Sequence, residues 1–357
     1  MNSVFILGAG ASREAGGPLM SDFLDRADEL LRRRELQGDG VGPMFENVFS
    51  AISDLQGVYA KSHLDLDNLE AVFGAIEMAV LLGKFPNREP TEIQTLRNDL
   101  VTLIYKTLES SVRFSARKRQ ILPPKPYDEF VKRLYRRRPG SLPPPARRID
   151  FITFNYDLAL DYALHWMDTR FSYGLSAQPP AVDSMLLKLH GSVNWGECQE
   201  CGEIVPFEVK DARFQIFNDS DEVRFDLGSK LPTRSHCEKS LALPPVIVPP
   251  TWNKTQYHGR LGNVWSNAAA VLGNAENVFI LGFSLPETDS FFRYLYSLGS
   301  ESDTRIKRFW VFDPDPNGTV ERRYRSLIGR GIENRFEFFN QTFSEALPRI
   351  GAVLGAA

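Results

Sequence analysis

The chain has 357 residues, with 42 Lys+Arg against 45 Asp+Glu, a formal net charge of −3, and hydrophobic and charged fractions of 43% and 24%. That length supplies one large domain or two modest ones with a buried core, and the balance excludes a disordered chain, a fibre and a polybasic nucleic-acid binder. No apolar run approaches the roughly 18 residues a membrane helix needs, MNSVFILGAG lacks the basic region of a signal peptide, and three cysteines do not make a disulfide framework, so a reducing, cytoplasmic compartment is expected.

In chain order, SVFIL predicts a buried strand running straight into Gly8-Ala9-Gly10-Ala11-Ser12 and then a helix. From about Ser21 to Arg138 the texture changes. DFLDRADELLRRRELQ, MFENVFSAISDLQGVYA, LDNLEAVFGAIEMAVLLGKF and TEIQTLRNDLVTLIYKTLESSVRF repeat apolar residues every three or four positions, which is one face of a helix. This predicts an all-helical module closed by the Pro-rich stretch Pro139–Pro145. Strand and helix patterns then alternate: IDFIT (149–153), DLALDYALHWMD, MLLKLHGS (185–192), PVIV (245–248), NVFILG (277–282), RFWVFD (308–313), RFEFF (335–339) and a last helix near Ser344–Leu354. Short apolar runs separated by helices predict an α/β fold with a mostly parallel sheet covered on both faces. The polar stretch between His190 and Pro244 holds all three cysteines and predicts a small second insertion.

Chemistry-bearing residues stand at the ends of these strands, where open parallel sheets bind ligands. Gly8-Ala9-Gly10-Ala11-Ser12 suits either an anion cradled by backbone N–H groups or a tight strand-to-helix turn. Arg13 stands where a dehydrogenase fingerprint needs its third glycine. In Thr153-Phe154-Asn155-Tyr156-Asp157 the polar residues suit ribose or water, or the N-cap of the next helix. His190, before Gly191, is either a general base or a hydrogen-bonded loop histidine. Gly282-Phe283-Ser284 and Asp313-Pro314-Asp315 fit nucleotide contacts or plain turn chemistry. Cys198, Cys201, His236 and Cys237 number four, as a closed zinc site wants, but the adjacent His-Cys pair is an awkward second half, so zinc is doubtful and a degenerate insertion is expected.

The order GAGAS, T-x-N-x-D, L-H-G-S, G-F-S resembles the sirtuin family of NAD-consuming enzymes over about 1–20 and 149–340. The resemblance implies a Rossmann-like NAD-binding domain formed by 1–20 and 149–357, with a helical module inserted at 21–148 and a Cys-containing one at 194–244. Family deacetylases continue with G-I-P-D-F-R, carry two C-x-x-C pairs and use an F-G-E segment to pair with an acetyl-lysine peptide. Here Gly16-Gly17-Pro18-Leu19-Met20 lacks the F-R pair, Cys198-x-x-Cys201 stands alone, and the peptide-pairing place reads Pro245-Val246-Ile247-Val248-Pro249-Pro250-Thr251. Two consecutive prolines cannot extend a peptide-binding strand. The pattern therefore looks like the sirtuin-like NAD hydrolases of prokaryotic antiphage systems. This resemblance implies cleavage of NAD to ADP-ribose and nicotinamide, with a protein deacylase or a non-catalytic NAD or ADP-ribose sensor as alternatives. It implies catalytic roles for Asn155, His190 and Asp157, and NAD contacts from Gly8, Ala9, Gly10, Ala11, Ser12, Thr153, Gly282, Ser284 and Asp313. It also implies a homo-oligomer and, as partner, a DNA-translocating ATPase of the HerA type. The basic residues Arg113, Arg117, Lys118, Arg119, Lys125, Lys132, Arg133, Arg136, Arg137, Arg138, Arg147 and Arg148 are opposed only by Asp128 and Glu129. They suit a solvated helix face, or a dock for an acidic partner or nucleic acid.

Overall fold

A computed structural model describes residues 2–33, 40–57, 63–117, 120–135, 148–208, 214–216, 222–225, 231, 233–248 and 259–354. The Pro-rich stretch 139–145, the Pro249-Pro250-Thr251 segment and the basic residues Lys118, Arg119, Arg136, Arg137, Arg138 and Arg147 lie outside the described residues.

Strand β1 (Asn2–Leu7) leads into one helical turn, α1 (Ala9–Arg13). Helices α2 (Phe23–Arg32), α3 (Gly42–Gln56), α4 (Leu69–Leu82) and α5 (Pro90–Ser111) follow. Next come a hairpin of β2 (Phe114–Arg117) and β3 (Gln120–Leu122), then α6 (Lys125–Tyr135). The sheet resumes with β4 (Arg148–Thr153), α7 (Ala159–Trp166), β5 (Phe171–Ser172) and β6 (Ser184–Lys188). Short strands β7 (Trp195–Glu197), β8 (Ile204–Pro206), β9 (Phe214–Ile216), β10 (Glu222–Phe225), β11 (Ser235–His236) and β12 (Lys239–Ser240) make the second insertion. The chain closes with α8 (Gly262–Gly273), β13 (Asn277–Leu281), α9 (Ser290–Gly299), β14 (Arg308–Phe312), α10 (Thr319–Arg325), β15 (Phe336–Phe339) and α11 (Phe343–Val353).

Seven strands form one sheet in the order β15-β14-β13-β1-β4-β6-β5, and every pairing in it is parallel. Successive side chains of a strand point to opposite faces. Phe5 and Leu7 accordingly enter one core with the helices of the first insertion, while Val4 and Ile6 enter the other with α8 and α9. Burial on both faces is why β1 is a continuous apolar run rather than an alternating one. β4 and β13 repeat the division, with Phe151 and Phe279 on the first face and Ile152 and Ile280 on the second. Phe5 stacks between them at 5.9 Å from Phe151 and 5.1 Å from Phe279.

The parallel α/β architecture is the one the short apolar runs predict. Three local features differ. The helical module also contains the β2–β3 hairpin, which joins β10 and β9 in a four-stranded sheet, so the two insertions are stitched together. Helix α6 belongs to the cover of the central sheet, since Phe130 packs at 5.1 Å against Phe5 and 6.0 Å against Phe151. PVIV is not a strand of that sheet. It runs antiparallel beside the His190 loop, with Val248 N–H donating to His190 O at 2.7 Å and Val246 O accepting from Ser192 N–H at 3.0 Å.

Chain order and strand order together locate the functional end. From β1 the chain fills the sheet through β4, β6 and β5 on one side, then returns to fill β13, β14 and β15 on the other. β1 is thus the topological switch point, and the crevice beyond the carboxyl ends of β1, β4 and β13 is where such sheets bind ligands.

Candidate functional site

A cavity of about 560 Å³ occupies that crevice. It is lined by Ala9, Gly10 and Ser12 after β1, Asn155 and Asp157 after β4, His190 after β6, Gly282 and Ser284 after β13, and Asp313 after β14. Pro18 and Leu19, just before the first insertion, and Asn68 and Glu70 within it close it from the side. A larger depression of about 950 Å³ lies at the outer edge of the sheet, beside β5 and α8, and contains none of the candidate residues.

The turn after β1 is built by close approach. Gly282 has φ +60°, and a Cβ there would sit 2.3 Å from Ala11 N. A Cβ on Gly8 would meet Gly282 O at 2.6 Å, and one on Gly10 would meet Gly282 Cα at 2.8 Å. Gly8 N–H donates to Leu281 O at 3.1 Å, Gly10 N–H to Gly282 O at 2.9 Å and Ala11 N–H to Gly8 O at 3.0 Å. These three N–H groups are committed to the protein, and the glycines of the turn let two loops touch. Of that turn, Gly8 and Ala11 lie behind the cavity wall, and only Ala9, Gly10 and Ser12 face it.

Behind the turn lies a buried polar cluster. Ser12 Oγ donates to Asp157 Oδ2 at 2.7 Å, lies 2.8 Å from Tyr127 Oη and accepts from Asn155 Nδ2 at 3.0 Å. Asn155 Nδ2 also reaches Gly8 O at 2.9 Å, so the amide orientation is fixed by two acceptors. Asp157 Oδ1 takes the Ala159 N–H at 2.9 Å, a side-chain turn across Leu158, which itself occupies the N-cap of α7. Burial raises the Asp157 carboxyl above its ordinary range, and the charge of Lys188 opposes the shift. Burial first, and then the Asp157 charge, pushes the Tyr127 phenol well above its ordinary value, so it stays a neutral hydrogen-bonding group. Thr153 serves the same turn from behind: its Oγ1 donates to Leu7 O and accepts from Asn155 N–H, both at 3.1 Å.

His190 is nine-tenths buried at the tip of β6, and its Nε2 lies 3.2 Å from Asp289 Oδ1. Its ring meets Phe154 edge-on at 5.1 Å and Tyr156 at 6.1 Å. A carboxylate on one ring nitrogen fixes the tautomer and supports a positive charge on the ring, which is the arrangement a general base needs. Asp289 comes from the loop between β13 and α9, and α10 holds that loop from outside. Tyr324 Oη donates to Phe283 O at 2.6 Å and Arg323 Nη1 to Ser284 O at 3.2 Å.

Asp313 stands at the far wall. Burial, with a smaller contribution from the neighbouring Asp315 charge, pushes its carboxyl up to about 7. Asp315 is spent on structure, accepting from Thr319 N–H at 2.9 Å and Glu321 N–H at 3.0 Å at the start of α10. Asp313 binds a proton more tightly in the folded chain than in the unfolded one, where carboxylates titrate near 4. Its contribution therefore turns against the folded state as pH rises from about 4 through 7. The thermal midpoint of wild type relative to Asp313→Asn is expected to be lower at pH 8 than at pH 5, measured by circular dichroism; an unchanged difference would refute this environment for Asp313.

The structure brings together Asn155, Asp157, His190, Ser284 and Asp313. Sequence reasoning missed Asp289, Tyr127 and Lys188. Asp289 carries a weak signal, five residues beyond Ser284 in GFSLPETD. Tyr127 carries none, being one aromatic in a helix of the first insertion.

A second cluster lies in the other insertion. The ligand atoms of Cys198, Cys201, His236 and Cys237 all lie within 4.8 Å of one another. Cys201 Sγ is 3.8 Å from Cys237 Sγ and 3.5 Å from His236 Nδ1, and Cys237 Sγ is 3.4 Å from His236 Nδ1. Tetrahedral zinc, with bonds of about 2.3 Å to sulfur and 2.0–2.1 Å to nitrogen, sets its ligands about 3.8 Å and 3.5 Å apart. The residues fit such an ion. The adjacent His236 and Cys237 do bring their ligand atoms together, at a place where Cys237 and Glu238 take left-handed backbone, φ 50° and 61°. The purified chain is expected to carry about one zinc by plasma mass spectrometry and to lose it in Cys201→Ser; a metal-free wild type from zinc-replete medium would refute the site.

No helix among the described residues is long and apolar enough to cross a membrane. No family model matches the chain, and no curated protein matches it. Solved structures do. One from work on the mechanism and regulation of Sir2 enzymes is 12% identical, with 99% of this chain and 92% of that one covered and a TM-score of 0.41. A Sir2 homolog–NAD complex is 11% identical, covering 100% and 91%, with a TM-score of 0.40. Sir2Tm bound to a propionylated peptide is 13% identical, covering 99% and 94%, with a TM-score of 0.34.

Proposed function

We propose that this chain hydrolyses the nicotinamide–ribose bond of NAD, giving ADP-ribose and nicotinamide. The observation that carries the reading is the convergence on one cavity of two unlike groups of residues. Asn155, Asp157 and the His190–Asp289 pair come from one side of β1 or bear on it; Gly282, Ser284 and Asp313 come from the other. With strands about 4.8 Å apart, the ends of β6 and β14 are roughly 19 Å apart, a span that suits an extended dinucleotide.

In this reading the reactive ribose lies over β4 and β6, the pyrophosphate over the β1 turn by Ala9, Gly10 and Ser12, and the adenosine half by Ser284 and Asp313. Cleavage passes through an oxocarbenium-like ribose, so the work of the site is to hold that ribose and to activate water. His190 takes a proton from the water, with Asp289 stabilising the ring as it becomes charged. Asn155, whose Nδ2 is anchored on Gly8 O and Ser12 Oγ, directs the rest of its amide at ribose or water. Asp157 acts through Ser12, holding the turn. The Cys198–Cys237 cluster takes no part in the chemistry; a zinc ion bound there would hold the second insertion together.

The ordered motifs also support a wider setting: an NAD-depleting effector of antiphage defence in the cytoplasm, working as a homo-oligomer, with a DNA-translocating ATPase of the HerA type as partner. The test is chromatography of NAD incubated with purified protein, alone and with an acyl-lysine peptide. ADP-ribose and nicotinamide without peptide support the hydrolase. Turnover only with peptide would make the chain a deacylase, and tight binding of NAD with no turnover in either arm would make it a sensor.

A further inference from the structure

Lys188 is the last residue of β6 and is fully buried, two residues before His190. Its Nζ donates to Asp157 O at 2.5 Å and to Tyr156 O at 3.4 Å, and pairs with Asp161 at 3.1 and 3.3 Å. Asp161, on α7, is 1% exposed and also accepts from Tyr173 Oη at 2.7 Å. Tyr173 in turn accepts from Asn194 Nδ2 at 3.2 Å, and that amide reaches Phe207 O at 2.8 Å.

A buried ion pair is a poor device for stability, because desolvating two charges offsets most of their attraction. Its use must lie in what it holds. The Tyr156 carbonyl also accepts from Val193 N–H at 3.1 Å and Ser192 Oγ at 3.3 Å. Tyr156 and Asp157 directly follow Asn155, and Ser192 and Val193 directly follow the His190-Gly191 turn. One ammonium therefore lies on the seam between the two loops that carry the two reactive side chains.

Resting on the hydrolase reading, we propose that Lys188, neutralised by Asp161, is a positioning residue that fixes the Asn155 loop against the His190 loop. It touches neither substrate nor the reacting atoms. An ammonium is suited to the task because it offers three donors to converging acceptors, here two carbonyls and a carboxylate, and no apolar side chain of that length offers any. Without it the Asp157 carbonyl and the Asp161 carboxylate lose their shared donor, the seam keeps only the Val193 and Ser192 bonds to Tyr156 O, and the loops can drift by about 1 Å. Misplacement of reacting groups on that scale costs on the order of 100-fold in rate.

The test compares wild type, Lys188→Met and the double variant Lys188→Met/Asp161→Asn in the same NAD assay, with thermal unfolding of each. Lys188→Met is expected to lower the unfolding midpoint, because Asp161 is left buried without its partner. It is also expected to lower kcat about 100-fold with KM within about threefold. In the double variant both charges are gone, the amide oxygen introduced at position 161 still accepts from Tyr173, and the midpoint recovers while kcat stays low. Recovery of kcat together with the midpoint would overturn the proposal, since Lys188 would then serve only to neutralise Asp161. A Lys188→Met variant with wild-type kcat would overturn it as well. A wild type that leaves NAD intact while its variants bind NAD equally would overturn the hydrolase reading itself, and the clamp's catalytic purpose with it.

Discussion

His190→Ala is expected to lower kcat for NAD cleavage about 1,000-fold with the fold intact. A positioned general base contributes roughly 100- to 10,000-fold, and this imidazole is held by a buried carboxylate 3.2 Å from its Nε2. The wall behind it is made by Phe154, Phe283 and Phe292, with the first two stacked at 4.0 Å, so removing the ring leaves the neighbouring packing standing. Asp289→Asn keeps the shape and removes the charge, and is expected to cost about 10- to 100-fold in kcat, less than His190→Ala because the base itself remains. Steady-state kinetics on both variants, with circular dichroism to confirm folding, checks the order. If Asp289→Asn were as active as wild type, the His190–Asp289 contact would be structural only.

Gly282→Ala is expected to damage stability and activity together. Gly282 sits at φ +60°, a region costly for any residue with a Cβ, and the added carbon would lie 2.3 Å from Ala11 N and 2.4 Å from Gly10 C. Those atoms are backbone of the β1 turn, held by Gly8, Gly10 and Ala11 hydrogen bonds, so no side chain can swing away to make room. Overpacking and strain in such a place cost about 1–3 kcal/mol each, and roughly 3 kcal/mol in all is expected from urea unfolding. The loops after β1 and β13 would part, and the cavity floor with them. Gly329→Ala, where an added Cβ meets nothing within 4 Å, serves as control and should stay within about 0.5 kcal/mol of wild type. Equal stability of the two variants would refute the close approach of the loops.

Much of this arrangement is legible in the sequence, because parallel strands buried on both faces announce themselves as apolar runs and their carboxyl ends all lie at one edge. SVFIL, IDFIT, NVFIL and RFWVF are such runs, and GAGAS, TFNYD, LHGS, GFS and Asp313 follow strands of that sheet. What pattern cannot show is partnership across distance. Asp289 reaches His190 from 99 residues away and Tyr127 reaches Ser12 from 115. Lys188 is a single charge at the end of an apolar strand, and only the fold supplies Asp161 from the preceding helix, α7. Elements held by few local signals are also lost. β5 is two residues long, and PVIV has the composition of a core strand but spends its backbone on the His190 loop. The glycines of GAGAS are ambiguous for a related reason, since a residue without a Cβ serves ligand approach and loop packing equally well, and here Gly8 and Gly10 pack against Gly282.

The most direct test of the central claim is to incubate wild-type protein with NAD in water enriched in oxygen-18 and weigh the products by mass spectrometry. The account predicts one nicotinamide for each ADP-ribose, with a single heavy oxygen on the ribose carbon that carried nicotinamide, and loss of both products in Asn155→Ala and His190→Ala. Intact NAD, or ADP-ribose joined to an acceptor other than water, would contradict it.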